Sequence, residues 1–244
     1  YTAGGDIERL TFGADAYLRY ETYVLGRVSA IHARPSAVVP EQDSDTTYNP
    51  VGRVESVTDP LGGVTNFTYD AAGQPATRTM PNGVETSWTW DARGRVQSIT
   101  HRRVIDGVVL MSRAYERTPS GDPNRITSED GSYVLLDYDN ARRVRQEAYR
   151  TASGGIVENI TYAYDRDGNR IMRISSAGTE HYAYGAGWRL ISTERDGLPA
   201  ATFTYDDAGR VTSIVRDGHS ASLTLNALDQ VVAANVDGQV STWQ

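Results

Sequence analysis

The sequence contains no cysteine, and its 244 residues include only 3 phenylalanines, 3 methionines and 4 histidines. Without cysteine the chain can form no disulfide, no thiolate nucleophile and no zinc–thiolate site. Basic residues are also in deficit, with 24 Lys and Arg against 31 Asp and Glu. This balance argues against nucleic-acid binding, because displacing counterions from phosphates requires a basic face.

Long apolar runs are missing as well. No stretch approaches the ~20 residues that span a bilayer, and the N-terminus lacks the basic and apolar regions of a signal peptide. Tyr1 lies in phase with the repeat described below and no methionine precedes it, so we expect an internal fragment of a longer chain. The hydrophobic content of 39% is sufficient for a folded protein.

What the sequence has in abundance is one repeated pattern, seen most clearly from Tyr69 to Trp90. An aromatic anchor residue, in one copy replaced by leucine, recurs every 18 to 26 residues. The anchors are Tyr1, Tyr23, Tyr48, Tyr69, Trp90, Tyr115, Tyr138, Tyr164, Tyr184, Tyr205, Leu225 and Trp243. A fixed period of roughly 20 to 50 residues indicates a repeat architecture.

A first turn follows each anchor, in its clearest form with the pattern Asp-x-x-Gly. The Asp side chain can accept from the main chain two residues on, and Gly can adopt the positive φ that ends such a turn. We therefore interpret these carboxylates as structural. The turn residues predicted in this way are Asp70 with Gly73, Asp91 with Gly94, Asp165 with Gly168, and Asp206 with Gly209.

A short β-branched run and a second turn come next, as in Arg95–Thr100. Asn82-Gly83 and Asp217-Gly218 are typical second turns, and such pairs between strand-like runs predict β-hairpins with type I′ turns. The returning run alternates, so that two large residues lie two apart on one face. This aromatic ladder is predicted for Phe67 and Tyr69, Trp88 and Trp90, Tyr162 and Tyr164, Tyr182 and Tyr184, and Phe203 and Tyr205.

Several segments depart from the pattern. The first 47 residues are the least regular, Pro35–Ser44 is predicted to be an enlarged loop, residues 100–111 a lengthened hairpin and Glu116–Asn124 an enlarged first turn. Loops that interrupt a repeat often carry function, so these segments are candidates for partner contacts, although surface turns also tolerate insertions. No linker is evident, and we expect a single repeat array over residues 1–244, regular from 48 to 244, with an all-β fold of hairpin repeats about 22 residues long.

The recurring Tyr-Asp-x-x-Gly-Arg-Val motif resembles the YD repeat of the rearrangement hotspot (Rhs) family. It is direct in Tyr205–Val211 and appears as Trp90–Val96 with tryptophan in the first place. The family includes bacterial polymorphic toxins, C components of insecticidal toxin complexes and teneurins. The resemblance implies a spiralling antiparallel ribbon that forms part of a hollow shell, which in the toxins encloses a C-terminal effector. Asp59–Gly62 matches the Asp-Pro-x-Gly of the toxins' self-cleaving segment, but it lies in an ordinary second turn.

Signatures of chemistry are few. The four histidines are scattered over different repeats, and no nucleophile elbow, P-loop or dinucleotide fingerprint occurs. Asp165–Asn169 is similar to a calcium loop, but its glycine comes fourth rather than sixth. Paired carboxylates for glycoside hydrolysis stay an open alternative in which no pair is distinguished. We expect no catalytic, cofactor or metal site.

The leading hypothesis is a structural, non-enzymatic YD-repeat shell segment of a large secreted or surface-delivered protein that encapsulates a C-terminal toxin or effector. Its partners would be the remainder of the same polypeptide and the enclosed effector, with no nucleic acid and no membrane span. The alternative is an adhesive scaffold that binds glycans or cell-surface proteins through its irregular loops, with Trp188, in a position normally held by the turn glycine, as a candidate contact.

Overall fold

A computed structural model describes residues 8–12, 16–23, 27–35 and 42–243. The strands of the first half are β1 (Arg9–Phe12), β2 (Ala16–Tyr23), β3 (Arg27–Arg34), β4 (Gln42–Tyr48), β5 (Val54–Thr58), β6 (Val64–Tyr69), β7 (Pro75–Thr79), β8 (Val84–Trp90), β9 (Val96–Arg103), β10 (Val109–Arg117) and β11 (Pro123–Ser128). Those of the second half are β12 (Tyr133–Tyr138), β13 (Val144–Arg150), β14 (Ile156–Tyr164), β15 (Arg170–Ser175), β16 (Gly178–Tyr184), β17 (Leu190–Arg195), β18 (Leu198–Tyr205), β19 (Val211–Arg216), β20 (His219–Leu225), β21 (Val231–Val236) and β22 (Gln239–Thr242).

The fold is all-β and built of antiparallel hairpins, as the sequence predicts. The helical structure in the described ranges is a single 3₁₀ turn at Ala186–Trp188. Accordingly, no helix in the described residues is long and apolar enough to cross a membrane.

Two compact units make up the chain, Tyr1–Glu116 with Ile126–Gly131, and Arg117–Arg125 with Ser132–Gln244. In the first unit each strand from β1 to β10 pairs with its neighbours in sequence. In the second unit the same holds from β12 to β22. One continuous array over residues 1–244 stays a prediction.

A β-bulge recurs where the returning strand of one hairpin meets the outgoing strand of the next. Thr68 lies opposite Thr77 and Tyr69 opposite Pro75, which leaves one extra residue on β7. The same shift occurs at Trp90, Tyr164, Tyr184, Tyr205 and Leu225. Bulges increase the local twist of a strand pair, so the repeat places one twist-enhancing step after each first turn.

Burial is low for a chain of this size. The accessible surface is 15905 Å², whereas a compact protein of 26.7 kDa exposes roughly 10,700 Å² and two separate compact halves roughly 12,900 Å². Among the described residues only Ser29, Ala30, Gly52, Thr86, Ala148, Ile160 and Ala201 are buried. Within each unit the described strands contact their neighbours in sequence, so each unit is a single-layer sheet.

The two faces of the sheet differ in composition. The ladder face, defined by the predicted aromatic pairs and the residues opposite them in register, has half-buried aromatic side chains. The other face has hydroxyl pairs across strands, including Thr68 with Thr77 at 2.7 Å and Thr89 with Ser98 at 2.7 Å. Such cross-strand pairs stabilise a sheet locally without needing a second layer.

The second turns are of two kinds. Asp196-Gly197, Asp217-Gly218 and Asp237-Gly238 have positive φ at both residues, which is the predicted type I′ geometry. At Asn82-Gly83, Asp106-Gly107 and Asp130-Gly131 only the glycine has a positive φ, so the type I′ prediction is wrong there. At Asn82-Gly83 the loop is longer, with the Gly83 N–H donating to Met80 O at 3.0 Å, and glycine alone takes the left-handed position.

The irregular segments are partly as predicted. Residues 100–111 form the long β9–β10 hairpin. Glu116–Asn124 is not enlarged, because Thr118 takes the Asp place of an ordinary first turn, where it accepts the Asp122 N–H at 3.2 Å on its hydroxyl. Of the predicted loop Pro35–Ser44, residues 42–44 belong to β4 and residues 36–41 lie outside the described residues.

Candidate functional site

The first turns share one hydrogen-bond pattern, which Asp91 shows in full. Its carboxylate oxygen Oδ1 accepts the main-chain N–H of Arg93 at 2.9 Å and of Arg95 at 3.0 Å, and Oδ2 accepts the Arg95 Nε–H at 2.7 Å. Gly94 closes the turn with φ 75° and donates to Asp91 O at 2.9 Å. One aspartate thus holds the main chain through four residues, which requires a short side chain with an acceptor oxygen.

The other predicted turn residues lie in the same arrangement. Asp70, Asp165 and Asp206 each accept the N–H four residues on, at 2.8, 2.8 and 2.9 Å. The φ angles of Gly73, Gly168 and Gly209 are 85°, 94° and 85°. Asn169, in the calcium-like segment, donates its side-chain amide to Asp165 Oδ2 at 2.8 Å, so the carboxylate is engaged in the turn itself.

These bonds lower the pKa of three of the turn carboxylates. The main-chain N–H of Arg95 and the Arg95 guanidinium hold the pKa of Asp91 below its usual value. The Arg210 N–H and guanidinium do the same for the pKa of Asp206, and the Asn169 amide is the main cause for Asp165. A carboxylate that accepts several hydrogen bonds favours its charged form.

Arginines missed in the predicted set of site residues link three of the first turns to the next. Arg143, Arg189 and Arg210 follow the positive-φ residue of their own turn. Their Nη1 groups donate to Asp165 O at 3.0 Å, Asp206 O at 3.3 Å and Asn226 O at 2.9 Å. The recurring Gly-Arg-Val in the sequence marks the position of these arginines, but it does not indicate which group each arginine binds.

The same arginines explain why glycine is needed in the following turn. A Cβ built on Gly209 would lie 3.1 Å from Arg189 Nη1, and the Arg53 guanidinium lies directly against Gly73. Glycine therefore meets two demands at these positions, a positive φ and a close approach of the preceding arginine.

The anchor aromatics are held by their polar ends. Each donates from its side chain to the carbonyl at or next to the start of the outgoing strand of its own hairpin. The donors and acceptors are Tyr48 to Val28 at 2.6 Å, Tyr69 to Val54 at 2.9 Å, Trp90 to Pro75 at 2.8 Å, Tyr138 to Pro123 at 2.6 Å, Tyr164 to Val144 at 2.7 Å, Tyr184 to Arg170 at 3.0 Å and Tyr205 to Leu190 at 2.7 Å. The anchor thus closes its hairpin near the first turns.

Arginine side chains cover the anchor rings. The guanidinium carbon lies 5.5 Å from the ring centre for Arg53 over Tyr69, 4.6 Å for Arg143 over Tyr164 and 5.5 Å for Arg189 over Tyr205. Burial raises the pKa of Tyr164, as expected for a phenol partly removed from water. The ladder is therefore built of alternating anchor rings and arginines.

Three first turns place a residue other than glycine at the positive-φ position. Arg142 has φ 63° and Asp229 φ 61°, and each forms an ion pair with the preceding turn, to Asp122 at 2.6 Å and Arg210 at 2.9 Å. Trp188 has φ 56° and is 68% exposed. In the turn that precedes Trp188, the position that is arginine in other copies is occupied by the shorter Asn169.

The second turns are bound to the preceding hairpin by aspartate. Asp196 accepts the Thr179 N–H at 2.8 Å, and Asp237 accepts the Ser220 N–H at 2.7 Å. These hairpins are therefore bonded to their neighbours by side chains at the second-turn end, in addition to the main-chain hydrogen bonds between strands.

The ladder face of the second unit has charged residues among the aromatics. Glu180 pairs with Arg195 at 2.6 Å and Arg173 at 3.4 Å, and accepts the Tyr182 hydroxyl at 2.8 Å. These donors, led by Arg195, lower the pKa of Glu180. Nearby, the Glu147 carboxylate accepts the Tyr149 hydroxyl and raises the pKa of Tyr149 to about 12. The floor of an open groove beside this network includes Tyr182, Phe203 and Ile214.

The described residues contain no group of three or more His, Asp or Glu side chains that could hold a metal ion. The histidines have separate local partners, with His101 Nδ1 3.0 Å from Thr86 Oγ1 and His219 Nδ1 2.6 Å from Asp237 Oδ2. The side chains of the turns thus bind the main chain of neighbouring repeats and fix the repeats to one another.

Comparison with known proteins agrees with the predicted repeat architecture. Residues 48–85 match the family model described as RHS Repeat. The chain is 30% identical over 117 residues to Double-stranded DNA deaminase toxin A of Burkholderia cenocepacia (strain H111), an overlap of 41% of this chain and 8% of that protein.

Among solved structures, the crystal structure of TcdB2-TccC3 matches with a TM-score of 0.50 and 14% identity, covering 90% of this chain and 16% of the other. The crystal structure of TcdB2-TccC3-Cdc42 matches with a TM-score of 0.49 and 14% identity, covering 91% and 16%. This chain spans less than a fifth of the length of each of these relatives.

Proposed function

We propose that this chain, in which residues 48–85 match the RHS repeat model, is a YD/Rhs wall segment of a shell that encloses a C-terminal toxin or effector of the same polypeptide. Its role is structural, and catalysis belongs to other parts of the parent protein. The parent protein is secreted or delivered to a cell surface. The partners of this segment are the remaining repeats and the enclosed effector.

The observation that carries this proposal is the single-layer architecture. Each unit consists of hairpins bonded side by side, with few buried residues and an accessible surface of 15905 Å². A globular binding domain or enzyme of this size would cover one sheet face with a second layer. A sheet that leaves both faces free suits a wall, which separates one compartment from another.

Containment would rest on main-chain bonding. The strand ladder, the first-turn arginines and the second-turn aspartates join each hairpin to the next, so opening a gap requires several bonds to break together. Edges that are paired in this way do not recruit other chains.

The test is limited proteolysis of the complete parent protein, following the segment downstream of these repeats. In one variant residues 185–225 are deleted, which removes two repeats and keeps Tyr184 in register with Asn226. The matched control is Leu61→Ser, at a second-turn residue that is 95% exposed. We expect a protected downstream segment in the parent and in the control, and digestion in the deletion variant. A segment equally protected in all three, or digested in all three, would contradict containment.

A second candidate function, an adhesive scaffold for glycans, is favoured by Trp188. A positive φ is unfavourable for a bulky residue, and an indole that is 68% exposed gains little burial in return. Exposed tryptophan can stack on a sugar ring, so binding would compensate for the strained main chain.

Trp188→Gly tests this candidate on a glycan array, since the substitution removes the indole and relieves the positive φ without destabilising the turn. Trp243→Ala, at a residue that is 52% exposed, serves as the control. Binding that disappears only with Trp188→Gly would support the scaffold, whereas an array with no signal for the unaltered chain would refute it.

A further inference from the structure

Arg78 on β7 differs from the other arginines of the ladder. It is half-buried and its side chain forms no hydrogen bond, ion pair or ring contact in the described structure, whereas Arg117 and Arg125, whose Nε–H groups are likewise buried and unbonded, each have another partner. The other arginines without a described partner, Arg93 and Arg166, are exposed in first turns. A half-buried charged group without a partner is unfavourable, so the Arg78 guanidinium suits a ligand that the protein itself does not supply.

The equivalent residue in the second unit shows what is missing. Arg78 is the fourth residue of β7, and Arg173 is the fourth residue of β15. Arg173 lies opposite Glu180 and forms an ion pair with it at 3.4 Å. Arg78 lies opposite Thr86 instead. The repeat geometry is shared, and in the first unit the carboxylate is absent.

No other strand residue supplies that carboxylate. The ladder-face residues of the flanking strands are Thr65, Phe67 and Tyr69 on β6 and Val84, Thr86, Trp88 and Trp90 on β8. None of them is acidic. Glu85 lies on the opposite face and is bonded to Arg102 at 2.7 Å.

A second donor lies in the same row. Thr86, which is only 1% exposed, has its Oγ1 3.0 Å from His101 Nδ1, and His101 lies opposite Thr86 in register. If the hydroxyl donates to Nδ1, the imidazole keeps an Nε2–H; if Nδ1–H donates to the oxygen, the hydroxyl keeps its hydrogen. In either tautomer the pair retains one hydrogen-bond donor.

We propose that Arg78, which lies opposite Thr86 of the Thr86–His101 pair, forms a carboxylate-binding site on the ladder face of the first unit. The planar guanidinium matches a carboxylate in two-point hydrogen bonding, and a partly buried position strengthens the interaction. The ligand occupies the place that Glu180 holds opposite Arg173 in the second unit. The carboxylate comes either from an acidic side chain of a polypeptide lying on this face or from a free small acid. The site goes beyond the wall function and is independent of containment.

The experiment follows the arginine Nε–H resonances of the 244-residue chain by NMR during titration with sodium acetate, against sodium chloride at equal ionic strength. We expect the Arg78 resonance, identified by its loss in Arg78→Gln, to shift and saturate with acetate only. The resonance of Arg173, already paired, should not move. No saturable shift of Arg78, or equal shifts of Arg78 and Arg173, would overturn the proposal.

Variants make the test independent of the resonance assignment. Thermal unfolding in acetate minus that in chloride should show stabilisation of the unaltered chain and of Arg173→Gln, with acetate affinity at least tenfold weaker in Arg78→Gln. Arg78→Lys keeps the positive charge but loses the two-point hydrogen bonding of the guanidinium, so it should retain part of the acetate affinity. It also serves as a control for a folding defect in Arg78→Gln. If Arg173→Gln loses the effect as fully as Arg78→Gln, a specific site is refuted.

The source of the carboxylate is determined with a short peptide containing one glutamate and its glutamine counterpart. Preference for the glutamate peptide that depends on Arg78 supports the site with a polypeptide ligand. Binding of acetate together with indifference to the peptides supports the site with a small-acid ligand. Equal binding of both peptides without any acetate effect contradicts the proposal.

Discussion

Arg142 and Asp122 form an ion pair between neighbouring first turns in which the charges are reversed relative to the equivalent pair Asp229 and Arg210. Arg142 takes the glycine place of its first turn with φ 63°, and its Nη2 lies 2.6 Å from Asp122 Oδ1. Asp122 takes the place where other copies have the arginine that reaches the next turn. The contact between turns is therefore kept with the two partners reversed, and it lowers the pKa of Asp122.

This exchange predicts a measurable coupling. Asp122→Arg alone should lower the unfolding midpoint, since two guanidinium groups would then meet, and Arg142→Gly alone should remove the ion pair. The double variant recreates the usual arrangement of arginine beneath glycine and should be more stable than Asp122→Arg. A double-mutant cycle by urea unfolding measures this, and additive effects would show that the two positions do not interact.

The anchor hydroxyls give a second prediction. Tyr164→Phe removes the bond to Val144 O at 2.7 Å and should cost about 1 kcal/mol of unfolding free energy, as a typical hydrogen bond does. Tyr133→Phe is the matched control, because the Tyr133 hydroxyl has no hydrogen bond in the described structure. Urea unfolding that gives equal costs for the two would contradict the role of the anchor.

The one anchor that is aliphatic permits the reverse experiment. Leu225 is the last residue of β20, Val211 is the first residue of β19, the outgoing strand of the same hairpin, and Arg210 stands where other copies have the covering arginine. Leu225→Tyr should create the missing bond to the Val211 carbonyl and raise the unfolding free energy by about 1 kcal/mol. Leu223→Tyr, two residues earlier on the same face, should bring no such gain in the same assay.

Much of this architecture follows from local sequence, and the rest does not for a physical reason. Asp91 and Gly94 act within four residues, so their turn can be predicted from their chemistry alone. The bond from Arg143 to Asp165 O joins residues 22 apart, and it depends on the bulge that sets the register between hairpins. Alternation placed Tyr164 on the ladder face but could not show that its hydroxyl reaches Val144. Arg78 is recognisable only once Thr86 is known to lie opposite it.

The turn carboxylates predict how stability depends on pH. The folded pKa of Asp206 is depressed, first by the Arg210 N–H and then by its guanidinium. A depressed carboxyl pKa stabilises the fold above the unfolded value of about 3.9, and this contribution is lost as the pH falls through the folded pKa. Several first turns share this shift, so the unfolding midpoint should fall below about pH 4.

Asp206→Asn isolates one such turn. Asparagine keeps the oxygen that accepts the Arg210 N–H, as Asn226 does for Gln230 at 3.1 Å, but it does not titrate. The variant should be less stable than the unaltered chain at pH 7 and equally stable at pH 2, measured by urea unfolding. Asp207→Asn, at the exposed neighbouring residue, should leave the pH dependence unchanged. A constant stability gap between the unaltered chain and Asp206→Asn across this range would contradict the assignment.

The two glycines at the ends of β19 separate backbone strain from crowding. Gly209 and Gly218 have similar φ angles of 85° and 83°, so alanine should cost each about 1 kcal/mol through the left-handed main chain. Only Gly209 has a neighbour where the Cβ would be, with Arg189 Nη1 at 3.1 Å, whereas nothing lies within 4 Å of the Gly218 position. Gly209→Ala should therefore destabilise more than Gly218→Ala in urea unfolding. In an Arg189→Ala background the excess should vanish, because the crowding group is gone and only the φ cost remains. If the excess persisted there, it would come from the turn itself and not from the arginine beneath it.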